Sequence, residues 1–433
     1  VLKLNINDLD FGARFNELVE SKREASTDVS DAVREIIKDV RQRGDEALFE
    51  LTRKFDRFDP DADTIRIKPG EIDELAGQCD KEVRKALDLA IERITAFHEK
   101  QKPADIDYID NSGTRLMARW NAVDAAGIYV PGGLATYPST LYMSAIPARV
   151  AGVGRLALTV PTPDGEISPV LMAAAKACGI DEIYRIGGAQ AIAALAYGTQ
   201  SMEPVDMICG PGNAFVAEAQ RQVYGRVGIG LVAGPSEILV VADKWNDPAI
   251  TAMDLLSQAE HDKNAQSILI TDDSEFAASV EKHVEEHLKT LPKQGIAQQS
   301  WNDFGAVIIV DNIKGQAPDL INSLAAEHVE LAVEEPEKLF DKIRHAGSVF
   351  AGRMTPEAVG DYAGGPNHVL PTERRARFQS GLNVLNFMKR TTYQQVGTEG
   401  LKEFGPATVT LARAEGLEAH ALSVEMRLIM LCA

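Results

Sequence analysis

Cysteine is scarce in this chain. The four present, Cys79, Cys178, Cys209 and Cys432, stand far apart and form no C-x-x-C pair. A thiolate metal site is thereby removed, and any metal must draw on imidazole, carboxylate or amide donors. Long apolar runs are missing too: stretches such as Ile238 to Ala242 and Ala306 to Val310 have strand length and fall far short of a membrane span. Basic charge is in deficit, with 45 Lys and Arg against 64 Asp and Glu, a net charge of −19 and no basic stripe. Nucleic acid is therefore not an expected partner. The opening Val1-Leu-Lys-Leu-Asn5 has no charged-then-apolar export pattern, which with the cysteine usage points to a reducing, cytoplasmic setting. Also absent is a G-x-G-x-x-G run. The nearest approach, Gly210-Pro-Gly-Asn-Ala-Phe215, places Phe where the third glycine would fall.

What is present reads as an ordinary globular protein. The 433 residues suffice for two or three domains, and 45% apolar with 25% charged residues excludes wholesale disorder. Residues 28–55 and 81–101 carry apolar positions at helical spacing (Val33, Ile36, Ile37, Val40; Val83, Leu87, Ile94), which predicts amphipathic helices. From Ala125 short β-branched runs alternate with helical stretches: Gly127–Val130, Leu156–Val160, Ile183–Ile186 and Ile238–Val241. After a helix at Asp247–Asp262 the series resumes with Ser267–Thr271, Ala306–Val310, Val329–Val333 and Ser348–Ala351. Such alternation implies βαβ units and parallel sheets. The predicted class is α/β, with two Rossmann-like, incomplete, doubly wound domains plus small N-terminal and C-terminal helical extensions. The tail from Gly381 reads as an arm and then helices broken at Gly405-Pro406 and Gly416, a kind of tail that packs on another subunit.

Candidate chemistry is scattered along this framework. Four glycine-rich turns, Gly127-Ile-Tyr-Val-Pro-Gly-Gly133, Gly187-Gly-Ala-Gln190, Gly210-Pro-Gly-Asn213 and Gly234-Pro-Ser236, let backbone approach a ligand closely, although ordinary tight turns have the same composition. Gln258 and His261, three apart on a helix, share a face and can share a ligand, or else form a polar helix end. Glu327-His328 offers two adjacent bases between a helix and a strand. Asp361 and His368 lie in a loop with three glycines and a proline. His420 sits at the edge of a stripe formed by Leu417, Ala421, Val424 and Leu428, just past Glu415 and Gly416. His283-Val-Glu-Glu-His287 matches an inverted zinc-peptidase signature, but its helix at Phe276–Leu291 is simply amphipathic. His98 and His345, among charged helical residues, suggest nothing. Cys209 beside Gly210 is either a nucleophile that traps an aldehyde or a small buried residue at a strand end.

In order and spacing, Ile128-Tyr-Val-Pro-Gly-Gly133, Gly187-Gly-Ala-Gln-Ala-Ile192, Gly210-Pro-Gly-Asn213, Ala233-Gly-Pro-Ser-Glu237, Ser257-Gln-Ala-Glu-His261, Ala326-Glu-His328, Asn367-His-Val-Leu-Pro-Thr372 and Ala414-Glu-Gly416 with His420 resemble histidinol dehydrogenase over essentially the whole chain. The resemblance implies a homodimer that oxidises L-histidinol to L-histidine through the aldehyde, reducing two NAD in succession. One zinc ion per subunit is implied on Gln258, His261 and Asp361, completed by His420 of a second copy. It makes His328 the base for the hydroxyl proton and Glu327 the base for water. It also places Ser236, His368 and Glu415 against substrate, with Glu415 crossing the dimer, and Tyr129, Gln190 and Asn213 against NAD. The division expected on this basis is an N-terminal arm (1–23), an α/β domain carrying metal and catalytic residues (24–128 and 237–382), a Rossmann-like NAD-binding domain (129–236) and a C-terminal dimerisation tail (383–433). Three alternatives remain open: a dehydrogenase of this fold with another polyol-like substrate, an aldehyde dehydrogenase using Cys209, and a non-catalytic metal-stabilised dimer.

Overall fold

Residues 1–21, 29–132, 137–232 and 234–431 are described by the structure, a computed structural model. Gly133, Ala233, Cys432 and residues 22–28, where the expected arm meets the first expected helix, lie outside the described residues. Two compact units are present, Val1–Gln101 with Asp124–Phe387, and Lys102–Val123 with Met388–Ala433. The first strands are β1 (Leu2–Asn5), β2 (Arg66–Ile67), β3 (Ile106–Ile109), β4 (Arg115–Ala122) and β5 (Ala125–Tyr129). There follow β6 (Arg155–Thr159), β7 (Glu182–Tyr184), β8 (Met207–Cys209), β9 (Gly228–Ile229) and β10 (Glu237–Ala242). The last are β11 (Gln266–Thr271), β12 (Ala306–Ile309), β13 (His328–Ala332), β14 (Ser348–Ala351) and β15 (Met388–Gln395).

Within the first unit two six-stranded sheets repeat one plan. One runs β2-β7-β6-β5-β8-β9 and the other β1-β12-β11-β10-β13-β14, so each has five parallel strands in the order third, second, first, fourth, fifth, with a visiting strand at one edge. β2 joins its sheet antiparallel, whereas β1 joins β12 parallel. The central strands β5, β10, β11 and β13 are buried at every position. That is why they read as unbroken apolar runs: helices cover both faces of a parallel sheet. On one face of the second sheet Leu239, Ile268 and Ile308 meet Leu4, Phe15, Ile313 and Ile321; on the other Val240 and Leu269 meet Leu255, Leu256, Val280, Val284 and Trp301.

Several expectations need correction. The helix expected over 28–55 is two helices, Ser30–Arg43 and Asp45–Asp56, broken at Gly44, whose φ of 60° suits glycine and whose missing side chain admits Gln200. Residues 1–23 are not a free arm, because Leu2–Asn5 is β1 and the helix Phe11–Glu20 packs beside it. Residues 24–128 do not belong with the second sheet: Val33, Ile37, Val40, Ala47, Leu48 and Ile65 fill the core of the first, with Ala157, Ile192 and Ile208. The tail does not stand alone. In the second unit β15 pairs antiparallel with β4 from Met388 opposite Ala122 to Gln395 opposite Arg115, and β3 flanks β4. Nor is there a break at Gly405-Pro406, since one helix spans Thr398–Ala414 through Pro406. Gly405 serves packing instead, as a Cβ there would meet the Leu428 side chain at 3.1 Å. Gly416, with φ 75°, turns the chain into the last helix, Glu418–Met430. Among the described residues no helix is long and apolar enough to cross a membrane.

Candidate active site

In the second sheet the candidate residues gather at the amino ends of β10 and β13, adjacent strands that run parallel with Ile238 opposite His328. A crossover helix must return to the edge where the next parallel strand begins, which explains the placement. The helix Pro248–Ala259, started by Asp247 capping the Ala249 N–H, descends from β10 and delivers Gln258 and then His261 to this edge. The helix Ile313–Leu324 ends on left-handed Ala325 (φ 48°) and delivers Glu327 and His328 in the same way. Asp361, on the short helix Ala358–Tyr362, closes the group with its Oδ2 3.9 Å from His261 Nε2 and its Oδ1 3.5 Å from His368 Nδ1.

His328 is buried, and its Nδ1 lies 2.9 Å from the Glu237 carbonyl. A carbonyl can only accept, so Nδ1 carries the hydrogen and Nε2 is left with a lone pair and, among the described residues, no hydrogen-bond partner. Burial pushes His328 down to about 4, which keeps the ring neutral at pH 7. Glu327, buried beside it with Oε2 3.6 Å from His328 Nδ1, is pushed well above the ordinary carboxyl range by burial. A neutral imidazole next to a carboxyl raised by burial is a pair of groups fit for proton transfer. For Asp361 burial acts upward, but His368, His328 and His261 outweigh it and hold the carboxyl below its usual value.

Gln258 is fully buried, yet among the described residues neither its amide oxygen nor its amide nitrogen has a hydrogen-bond partner. Each such group costs roughly 1–3 kcal/mol unless something fills the space. With His261 and Asp361 alongside, the donors are nitrogen and oxygen, a set that suits zinc or a harder divalent ion. A second, overlapping set exists: His328, Glu357 and Asp361 each have a donor atom within 4.8 Å of the others. Sequence reasoning passed over Glu357, which is buried, reaches His328 Nε2 at 3.6 Å and accepts from Ser257 Oγ at 3.3 Å. Its signal was the four-residue spacing to Asp361. His98, dismissed on sequence, is fully buried and contacts Asn367 Nδ2 at 3.3 Å, so it steadies the residue before His368. Ser236, whose carbonyl accepts from Gln266 N–H, lies at the mouth of β10.

The remaining candidates lie elsewhere. Tyr129, Gln190 and Asn213 stand at the carboxyl ends of β5, β7 and β8 in the first sheet, where its strand order reverses and where ligands of doubly wound sheets bind. Buried Tyr129 accepts from the Gly188 N–H at 3.3 Å, and Asn213 caps its helix by accepting from Phe215 and Val216 N–H. Gly210 (φ 115°) lies so close to the Tyr129 carbonyl that no side chain fits. Next to them a cleft is lined by Pro131, Gly132, Pro161, Thr162 and Glu166. Glu415 and His420 belong to the second unit, both exposed, on either side of Gly416. In the zinc-peptidase decoy, His283 Nδ1 and His287 Nε2 each meet a backbone carbonyl, of Ser279 and Ala249, and are structural.

An α/β protein of two doubly wound sheets, with a buried acid–base pair and an orphaned amide beside it, is the class that fold and site define. Comparison with known proteins narrows it. The chain belongs to the histidinol dehydrogenase family, whose model matches residues 19–428. It is 56% identical to the histidinol dehydrogenase of Rhodospirillum rubrum over 99% of this chain and 98% of that one. It is 57% identical to that of Ruegeria pomeroyi over 97% and 96%. A crystal structure of histidinol dehydrogenase from Elizabethkingia anophelis superposes with a TM-score of 0.94 at 36% identity, covering 100% of this chain and 99% of that one.

Proposed function

We propose that this chain oxidises L-histidinol to L-histidine through L-histidinaldehyde, the last step of histidine biosynthesis, in two successive NAD-dependent steps with zinc positioning the substrate. The observation that carries the reading is the His328 tautomer: Nδ1 is committed to the Glu237 carbonyl with Glu327 Oε2 3.6 Å away, and among the described residues Nε2 has no hydrogen-bond partner. Gln258, His261 and Asp361 would hold the zinc, with His420 supplied by a second copy, and the bound ion would orient the substrate's imidazole and amino groups. The His328–Glu357–Asp361 set is the poorer choice, because it would occupy Nε2 and leave no base. Tyr129, Gln190 and Asn213 would contact NAD, which supplies the hydride acceptor.

His328 Nε2 takes the hydroxyl proton as the substrate carbon loses its hydride. Glu327 then takes a proton from the water that adds to the aldehyde, and the hydrate is oxidised in turn. Ser236, His368 and Glu415 contact the substrate, Glu415 from the second copy, along with the zinc ligands and His328. The exposed apolar side chains of the second unit, among them Leu411, Met426 and Ile429, support a homodimer. The roles separate in half-reactions. Glu327→Gln is expected to slow oxidation of the aldehyde, on the order of 10²–10⁴-fold, more than that of the alcohol, whereas His328→Asn impairs both. Steady-state rates on each substrate decide, and identical behaviour of the two variants contradicts the assignment.

A further inference from the structure

Both Glu327 and His328 are tied to one neighbour, Glu237. Glu237, first residue of β10, is buried and makes four hydrogen bonds around the site. Its carbonyl accepts from His328 Nδ1 at 2.9 Å, and its N–H donates to Glu327 Oε2 at 2.9 Å. Its side chain then reaches back: Oε2 accepts from the Glu327 N–H at 3.1 Å, and Oε1 accepts from the Glu373 N–H at 3.0 Å. Glu237 and Glu327 thus form a reciprocal pair, each carboxylate accepting from the other's backbone.

The far side of this pair is held at a conformational cost. Glu373 and Arg374 are consecutive left-handed residues, with φ of 53° and 62°, and neither is glycine. Two strained residues in a row persist only where the surroundings over-determine them. Here the Glu373 N–H points at Glu237, Thr372 Oγ1 accepts from the Gly234 N–H at 2.6 Å, and Arg375 bonds both Glu373 and the Val232 carbonyl. The turn 372–375 is therefore laced to the loop that leads into Glu237.

We infer that Glu237 is a positioning residue for the reaction: its carboxylate fixes the Glu327 backbone and the 372–375 turn, and so holds the Glu327 carboxyl and the His328 ring in register for both oxidation steps. This rests on the functional reading above. An amide cannot take its place, because two backbone N–H groups converge on the two carboxylate oxygens and Glu237→Gln would turn a donor toward one of them. The Glu237 side-chain bonds given above run to the Glu327 and Glu373 backbone rather than to Gln258, His261 or Asp361, so substrate orientation is expected to be left intact.

The test uses the zinc-loaded full chain with L-histidinol and with L-histidinaldehyde. Glu237→Gln is expected to lower kcat on both substrates about tenfold or more, with KM for histidinol changed less than about threefold and zinc content unchanged. Glu237→Asp, which keeps two acceptor oxygens on a shorter arm, should recover part of the loss. A Glu237→Gln kcat within about twofold of wild type overturns the inference, as does a loss confined to one substrate or one that tracks zinc or KM. Should the Gln variant not fold, a wild-type kcat in Glu237→Asp overturns it. A wild-type protein inactive on histidinol defeats the parent reading instead. The positioning is then read without turnover, from the amide ¹H–¹⁵N resonances of Glu327 and Glu373, whose N–H groups donate to the carboxylate: both are expected to shift in Glu237→Gln, and resonances unchanged from wild type contradict it.

Discussion

The Cys209 thiol is fully enclosed, its Sγ donates to the Gly127 carbonyl at 3.6 Å, and burial pushes it up to about 12. Almost no thiolate exists at neutral pH, so the cysteine-dependent alternative lacks its nucleophile. Asp56 shows the same force acting on a carboxyl. It ends the helix Asp45–Asp56, is buried with Oδ2 unpartnered, and burial lifts it to about 6 although Arg57 pulls the other way. A folded-state value above the unfolded 3.8 means that the contribution of this group to stability is fully present below about pH 4 and is lost as pH rises through about 6. Asp56→Asn removes that dependence. Relative to wild type it should gain on the order of 1–3 kcal/mol between pH 4 and pH 7, read from denaturant unfolding at both. An offset between the two proteins that is equal at both pH values contradicts this. At this scale the sequence marked Gln258, His261, Glu327 and His328 because their residue types and spacing announce chemistry. It did not mark Glu237, which was quoted in a motif without a role and acts through backbone bonds that leave no distinctive spacing, nor Glu357, whose four-residue spacing to Asp361 is common on helical surfaces and was not picked out.

At the scale of elements, strands buried on both faces were legible as apolar runs, and the helices ending near Gln258 and Glu327 as periodic stretches. The hairpin strands β3, β4 and β15 were not. β3 is exposed throughout, β4 is mostly half-buried, and β15 is exposed and polar, as in Met388-Lys-Arg-Thr-Thr-Tyr-Gln-Gln395, and long-range antiparallel pairing leaves little local trace. Glycine was misread in both directions: Gly44 divides a helix that looked continuous, whereas Gly405 sits inside one that looked broken. The helices Thr398–Ala414 and Glu418–Met430 pack on each other through Val409, Ala412 and Ala421 yet leave Leu411 65%, Met426 64% and Ile429 63% exposed. An apolar face of this kind is expected to lie against a second copy. Light scattering at micromolar concentration should give about twice the 47.0 kDa chain mass. A particle of one chain mass contradicts the shared site.

For the molecule as a whole, the repeated strand order places the two groups of candidate residues at opposite ends of equivalent sheets. The first sheet presents Tyr129, Gln190 and Asn213 at carboxyl ends, where cofactors of this architecture bind, and the second presents its acid–base pair at amino ends. Alternation of strand and helix made the two sheets foreseeable, but not which sheet the helices of residues 30–56 would cover, since their apolar stripes fit either. The central claim is a four-electron oxidation at one site, and it is tested most directly by anaerobic turnover of L-histidinol with NAD, counting NADH against histidine before and after chelation and zinc return. The expected result is about two NADH per histidine, lost on chelation and restored by zinc. A ratio near one, or turnover indifferent to chelation, would contradict it.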